Sequence, residues 1–221
     1  MKGDGRCHTS LVGFSLDGRD RGNAGSCAAI WDGEAERFDD APDHGLSDPR
    51  VRQAWRTLLT SLLPPAPARI ADLGSGTGSL SILMADQGHH VQALDLSRRM
   101  TERAVEKAMV GASRPHFVVA DVTAPPLRDR SLDVVLVRHV LWTLPEPRPV
   151  LSRWLELLAR GGRLVLIEGR WHTGAGLDIS QLERLIKPLA RVTAIEVLDD
   201  PQLWGGPIND ERYVMVIENR D

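Results

Sequence analysis

The sequence has 221 residues, with 27 Lys or Arg and 30 Asp or Glu, and a formal net charge of −3. This length suits one domain with a full hydrophobic core, and the weak negative charge argues against a nucleic-acid-binding surface, which is usually basic. No apolar run approaches the roughly eighteen residues that a membrane-spanning helix needs, and the first residues lack the apolar segment of a signal peptide. We therefore expect a cytoplasmic protein that binds neither nucleic acid nor membrane, with Cys7 and Cys27 as ordinary thiols.

The first third of the chain predicts a leader and a helical cap. Residues 1–28 are rich in Gly, Asp, Arg and Ser and lack periodicity, which predicts a flexible leader. Residues 29–66 predict a cap with two helices: a short one with three apolar side chains on one side, and a longer one that begins with an aspartate N-cap and a first-turn proline. The residues concerned are Trp31, Ala35, Phe38, Asp48 and Pro49.

An apolar strand that runs into a glycine-rich turn opens the remaining stretch, residues 67–221. Residues 70–80 read Ile-Ala-Asp-Leu-Gly-Ser-Gly-Thr-Gly-Ser-Leu, and Asp95, 21 residues after Gly74, ends a second apolar run. Glycine has no Cβ, so a ligand can approach the bare backbone of the turn, and the following helix directs free N–H groups toward it. A carboxylate at the tip of the second strand can accept hydrogen bonds from a ribose diol. The pattern is typical of a nucleotide-binding unit.

Five further apolar runs alternate with helical patterns, one of which is predicted over residues 147–160. Such alternation predicts an α/β fold, a three-layer Rossmann-like sandwich around a seven-stranded, mostly parallel sheet. The last two strands are joined by a loop, residues 199–210, without a helix, which is too short for a parallel crossover and predicts a terminal antiparallel strand. The five runs are residues 116–121, 132–137, 164–168, 191–198 and 212–218.

The spacing of the glycines bears on which nucleotide is bound. A dinucleotide fingerprint reads G-x-G-x-x-G, whereas Gly78 stands one position too early after Gly74 and Gly76. Asp72 precedes the first glycine, and an acid there is out of place beside a pyrophosphate. No Gly-Lys-Ser/Thr follows, which excludes a P-loop. An NAD(P)-dependent oxidoreductase is therefore the less favoured alternative.

The turn, together with the acids that end later strands, is similar to class I S-adenosylmethionine (SAM) dependent methyltransferases. The resemblance covers about residues 30 to 221 and is closest to the small-molecule branch that includes quinone-biosynthesis and natural-product enzymes. It implies SAM as the cofactor and a small molecule as the partner. The residues that carry it are Asp72 to Gly78, Asp95, Asp121, Asp133-Val134-Val135, Gly161 to Leu164, and Phe38-Asp39, which looks like that branch's aromatic-Asp element over the cofactor.

The resemblance also implies which residues bind the cofactor. The methionine part would contact Asp72 and the glycine-rich turn. Asp95 would bind the ribose hydroxyls, and Asp121 would accept a hydrogen bond from the adenine amino group. Asp121 could instead cap the turn at residues 123–125. The full set of implied cofactor contacts is Phe38, Asp72, Gly74, Ser75, Gly76, Gly78, Asp95, Leu96, Asp121, Val122 and Arg138.

Two histidines are candidate catalytic residues. His139 follows the fourth strand at the carboxyl edge of the sheet, and His44 lies in the segment expected to cover that edge. The pKa of histidine lies near operating pH, as a general base requires, although His139 could simply support the cofactor and His44 could be a turn residue. No cluster has metal-ligand spacing, so no metal is expected. Tryptophan faces stack on flat rings and attract cations, and the predicted substrate contacts are Trp31, His44, His139, Trp142, Glu168 and Trp171.

The resemblance implies transfer of a methyl group from SAM to an N, O or C atom of a small aromatic or amine-bearing molecule, such as an indole-like natural product. Two alternatives stay open beside it: an NAD(P)-dependent oxidoreductase, and a SAM-binding sensor or partner subunit without catalysis.

Overall fold

The computed structural model describes residues 24–112 and 114–220, so most of the predicted leader lies outside the described residues. The first helix begins at Ala24, inside the predicted leader. Two 3₁₀ turns span Phe38–Asp40 and Leu141–Thr143. The helices are α1 (Ala24–Glu34), α2 (Pro42–Gly45), α3 (Pro49–Leu62), α4 (Ser79–Asp86), α5 (Arg98–Met109), α6 (Pro147–Glu156), α7 (Ile179–Ile186) and α8 (Pro201–Trp204). The strands are β1 (Arg69–Leu73), β2 (His90–Asp95), β3 (His116–Val119), β4 (Leu132–Arg138), β5 (Leu158–Arg170), β6 (Arg191–Val197) and β7 (Glu211–Glu218).

The strands form one sheet in the order β3-β2-β1-β4-β5-β7-β6. Strand β7 runs antiparallel to both of its neighbours, β5 and β6, and the other pairings are parallel. The predicted mostly parallel sheet with one antiparallel strand is therefore confirmed. That strand comes last in the chain but lies between β5 and β6 rather than at the edge of the sheet.

Helices cover both faces of the sheet, as the three-layer prediction requires. On one face, side chains of α3, α4 and α8, among them Trp55, Leu83 and Trp204, pack on the strands in one core cluster. On the other face, Trp154 of α6 and Leu182 of α7 belong to a second cluster. Trp55 of α3 and Trp154 of α6 are fully buried.

Three local predictions are wrong. The short helix predicted to carry Trp31, Ala35 and Phe38 on one side ends at Glu34, and Phe38 begins a separate 3₁₀ turn. The helix predicted over residues 147–160 ends at Glu156 because Leu158 pairs with Leu132 of β4 and begins β5. The segment 199–210 contains the one-turn helix α8, whose first turn is capped by Asp200 accepting from the backbone N–H of Gln202. A helix of four residues is too short to make a parallel crossover, so the antiparallel pairing still follows.

The strand order reverses between β1 and β4, which are neighbours although β2 and β3 separate them in the chain. Loops on either side of such a reversal leave in opposite directions and open a crevice at the carboxyl ends of the strands, where ligands of open α/β sheets bind. The candidate site lies in this crevice.

Candidate active site

A cavity of about 340 Å³ lies between the carboxyl ends of the central strands and the segment predicted to be a cap, residues 29–66. All but three of the predicted site residues line it. Those residues are Trp31, Phe38, His44, Asp72, Gly74, Ser75, Gly76, Asp95, Leu96, Asp121, Val122, Arg138, His139 and Trp142.

The glycine-rich turn forms one wall of the cavity. A side chain is excluded at two of its glycines by residues that border the cavity, and at the third by packing at the start of α4. Gly74 has φ +77°, and a Cβ there would collide with Cγ2 of Val140. A Cβ on Gly76 would lie 3.1 Å from the ring of Phe38, which covers the turn from the cap. Gly78 lies outside the lining and starts α4, with Phe117 and Ala104 packed where a Cβ would be. Bare backbone therefore faces the cavity at Gly74 and Gly76.

Two buried carboxylates flank this turn. Asp95 accepts hydrogen bonds from the backbone N–H of Gly76 and of Ser97, both at 2.8 Å. Asp72 accepts from the hydroxyl of Ser81. Burial raises the pKa of each to about 6, because an ionised carboxyl group loses hydration when it is enclosed by protein. A ligand with hydroxyl or ammonium donors would compensate that loss.

Asp121 performs the turn-capping role considered for it and also faces the cavity. Its Oδ1 accepts from the backbone N–H of Thr123 at 2.8 Å and from the Thr123 hydroxyl at 2.7 Å. The other oxygen, Oδ2, is not used by these bonds. Leu96 and Val122 give the same end of the cavity an apolar lining suited to a flat ring.

Arg138 joins the end of β4 to two residues of the predicted cap, Asp43 and Trp55. Its guanidinium donates to the backbone oxygen of Asp43 at 2.8 Å and to the carboxylate of Asp43 at 2.5 Å, and lies over the ring of Trp55. His44 stacks on Phe38 with ring centroids 4.2 Å apart and donates from Nδ1 to the Phe38 carbonyl at 3.1 Å. Burial lowers the pKa of His44. The neutral ring therefore carries its lone pair on Nε2.

His139 occupies a strained position at the end of β4. Its φ is +56°, in the left-handed region, and its ring contacts Trp171 edge-on at 5.2 Å and stacks on Trp204 at 6.1 Å. Burial and the nearby Arg138 and Arg212 guanidiniums hold its pKa well below the usual value of 6.5. A neutral imidazole can exchange hydrogen bonds with a ligand but is a weak base.

Glu168 and Trp171 were predicted to contact substrate, yet neither lines the cavity. The Glu168 side chain is fully buried and turns toward the backbone of residues 140–141. Trp171 packs behind Trp142 with ring centroids 5.7 Å apart, so it supports a lining residue. Trp204 is also buried behind His139.

Sequence reasoning missed a polar network that joins the cap to the turn. Asp39 accepts from the Thr77 hydroxyl at 2.5 Å and pairs with the ammonium of Lys107 at 2.7 Å. Lys107 also donates to Thr77 and to Ser79. In α1, Asp32 accepts from the hydroxyl of Ser97 at 2.5 Å. Asp39 follows Phe38 in the recognised element, but nothing in the sequence near Lys107 signals its role.

Among the residues that the structure describes, no group of three or more His, Cys, Asp or Glu side chains could hold a metal ion. No helix among residues 24–112 and 114–220 is long and apolar enough to cross a membrane.

The buried state of His139 predicts an acid-dependent loss of stability. Below pH 6.5 the unfolded chain binds a proton at this residue that the folded protein does not. The contribution of neutral His139 to the free energy of unfolding is therefore fully present above pH 6.5 and decreases as the pH falls below that value. Wild type should lose up to about 2 kcal/mol more unfolding free energy than His139→Gln between pH 7.5 and pH 5. Urea unfolding at both pH values measures this difference, and equal losses would contradict the buried, neutral state of His139.

Known proteins resemble this chain in sequence and in fold. The sequence profile of a family described as a methyltransferase domain matches residues 71–166. The demethylmenaquinone methyltransferase of Clavibacter sepedonicus is 40% identical over 117 residues, 52% of this chain and 47% of that protein. That of Renibacterium salmoninarum is 34% identical over 168 residues, 75% of this chain and 68% of that protein. The solved phosphoethanolamine N-methyltransferase 2 of Haemonchus contortus, in complex with S-adenosylhomocysteine, has a TM-score of 0.65 at 16% identity, covering 76% of this chain and 53% of that one.

The fold and the cavity thus define the class I methyltransferase architecture. The chain belongs to the SAM-dependent methyltransferase family, in which the demethylmenaquinone methyltransferases are its relatives. The chain spans about half the length of the first of these relatives. Another relative, the tRNA 5-carboxymethoxyuridine methyltransferase of Escherichia coli, is 32% identical over 146 residues, 62% of this chain and 55% of that protein. The absence of a nucleic-acid partner therefore stays a prediction.

Proposed function

We propose that the protein transfers a methyl group from SAM to an N, O or C atom of a small aromatic or amine-bearing molecule. The observation that carries this proposal is one continuous cavity, with the glycine-rich turn and two buried carboxylates at one part and aromatic rings and two histidines at another. In this proposal residues 29–66 are the cap and residues 67–221 the cofactor-binding domain.

The residues present fit SAM. Among the described residues, Asp72 and Asp95 have no ion-pair partner, and each is buried with a pKa raised to about 6. Donors on a ligand would favour their charged forms: the ammonium of the methionine part at Asp72 and the ribose hydroxyls at Asp95. The backbone of Gly74, Ser75 and Gly76 would lie along the methionine part.

Further contacts are proposed around the two ends of the cofactor. Leu96, Val122 and the free oxygen of Asp121 would surround the adenine. Phe38 would cover the cofactor from the cap, and Arg138 would border the methionine part. Gly78 would contribute by starting α4, since it does not line the cavity.

The substrate would lie against the aromatic part of the cavity. SAM supplies an electrophilic methyl group on a sulfonium, so the main work of the protein is to align the acceptor with it, which contributes up to roughly 7–11 kcal/mol in favourable systems. Trp31, Phe38 and Trp142 offer faces for a flat ring. His44 and His139, both neutral, would hold the acceptor by hydrogen bonds. In His44 the proton acceptor would be Nε2, 3.7 Å from the Asp43 carboxylate, because Nδ1 is already a donor.

A quinol is a sensible first acceptor because several relatives, including the two described above, bear the name demethylmenaquinone methyltransferase. It is small and aromatic, and the aromatic lining would accommodate its ring. The proposal includes no nucleic-acid partner because the formal charge of −3 offers no basic excess.

Calorimetric titration tests the cofactor, and radiolabel transfer tests the reaction. We expect S-adenosylhomocysteine to bind in the micromolar range and NAD(H) not to bind. The protein is then incubated with labelled SAM and, in separate reactions, a demethylated naphthoquinol, an indole amine or unmodified tRNA. We expect the label to be transferred to one of the two small molecules. Preferential NAD(H) binding would support an oxidoreductase instead, SAM binding with no labelled product would support a sensor, and labelled tRNA would overturn the small-molecule assignment.

A further inference from the structure

Glu168 lies in β5, two residues before the strand ends at Arg170, and has no exposed surface. Its Oε1 accepts hydrogen bonds from the backbone N–H groups of Val140 at 3.1 Å and Leu141 at 3.0 Å. Both donors lie in the turn that follows β4, the strand next to β5 in the sheet. Its Oε2 is buried and has no hydrogen-bond partner. Burying a carboxyl group costs free energy. We therefore expect a compensating role in the two backbone N–H groups that it accepts from.

The group holds the turn that displays the substrate-side residues. His139 has φ +56°, and its N–H donates to the carbonyl of Ile167 at 2.9 Å. The indole N–H of Trp142 donates to the carbonyl of His139 at 2.8 Å, which closes the turn from the other side. Between these two bonds the backbone N–H groups of Val140 and Leu141 have Glu168 as their acceptor. Both His139 and Trp142 line the cavity.

The same turn also touches the cofactor loop. Cγ2 of Val140 occupies the space that a side chain on Gly74 would need. A shift of this turn would therefore move the aromatic wall and the glycine-rich turn relative to one another. The strand pairing of β4 with β5 already continues to Arg138 and Ile167 without Glu168, so a purely structural role in the sheet does not require a carboxyl group there.

We propose that Glu168 is a positioning residue that sets the turn 139–142, and through Val140 aligns the bound acceptor with the cofactor loop. This inference rests on the proposed function. Misalignment of reacting groups by about 1 Å can cost on the order of 100-fold in rate, whereas the cofactor contacts at Asp72 and Asp95 do not involve Glu168. The effect of losing Glu168 should therefore appear in kcat more than in KM.

The test compares Glu168→Ala and Glu168→Gln with the matched control Glu211→Ala. Glu211 also accepts a backbone N–H, from Ile179 at 3.1 Å, but lies outside the cavity lining. With labelled SAM and the naphthoquinol, Glu168→Ala should lower kcat at least tenfold with KM for SAM changed less than threefold. Glu168→Gln keeps the accepting oxygen and should recover most of the lost kcat. In spectra of ¹⁵N-labelled protein, the indole N–H signal of Trp142 should move only in Glu168→Ala.

Several results would overturn the inference: an unchanged kcat in Glu168→Ala, an equal loss in Glu168→Gln, the same loss in Glu211→Ala, or an effect confined to KM. If Glu168→Ala does not fold, a Glu168→Gln kcat more than tenfold below wild type would also overturn it. If wild type binds S-adenosylhomocysteine but transfers no methyl group, the proposed function fails, and the spectra then test the inference separately. An indole N–H signal of Trp142 that does not move in Glu168→Ala would overturn the inference. A signal that moves in Glu168→Ala and returns to its wild-type position in Glu168→Gln would support it.

Discussion

Replacing Asp95 with alanine is expected to weaken SAM binding by about 100-fold or more. The carboxylate lies at the end of β2 and lines the cavity, and each of its oxygens already accepts one backbone N–H, from Gly76 or Ser97. Each oxygen keeps a further lone pair for the proposed ribose hydroxyls. A hydrogen bond to a charged group contributes about 1.5–3 kcal/mol, so two of them account for a loss of this size.

Titration calorimetry with S-adenosylhomocysteine measures the effect. Asp95→Asn keeps one side-chain oxygen and should show an intermediate loss. Asp133→Asn is the control because this aspartate also belongs to a parallel strand but pairs with Arg69 near the opposite end of β4; its affinity should stay within about twofold of wild type. An Asp95→Ala variant that binds with wild-type affinity would show that the ribose assignment is wrong.

Replacing Gly74 with alanine should cost about 2–5 kcal/mol of unfolding free energy and weaken SAM binding at least tenfold. Its φ of +77° is unfavourable for a residue with a Cβ, at about 1–2 kcal/mol, and the new methyl would collide with Val140, adding about 1–3 kcal/mol of overpacking. Relief of that collision would displace either Val140 or the backbone that the methionine part is proposed to follow.

Gly161 provides a control that separates the two contributions. Its φ is +76°, nearly that of Gly74, and a Cβ there would meet nothing within 4 Å. Gly161→Ala should therefore cost only the backbone strain, about 1–2 kcal/mol, and leave SAM affinity unchanged. Urea unfolding of both variants measures the two losses of unfolding free energy. Equal losses would mean that the contact with Val140 adds no destabilisation to the backbone strain at Gly74.

The sequence was sufficient for the parts of the molecule that depend on local patterns. The apolar strands, the glycine-rich turn and Asp95 follow from periodicity and from residue types with special backbone properties, and the structure places them as expected in the sheet and the cavity. The antiparallel pairing of β7 followed from the shortness of the segment before it. These features need no knowledge of distant contacts.

The parts that sequence could not supply depend on long-range contacts. Asp39 and Lys107 meet although 68 residues separate them, and neither residue type predicts its partner. Glu168, the last residue of the fifth predicted strand, was predicted to contact substrate. The two N–H groups that it satisfies belong to another strand's turn, at 27 and 28 residues' separation, and only the folded register brings them together.

The position of β7 constrains the order in which the protein can fold during synthesis. β6 precedes β7 in the chain, yet among the described strands its neighbour in the sheet is β7 alone. Until residues 211–218 have left the ribosome, β6 has no strand to pair with and the adjoining edge of β5 is open. A nascent chain stopped short of β7 would thus present unpaired edges of both β5 and β6, and such edges are templates for aggregation. Chaperone protection of the late nascent chain would have its greatest value in that interval.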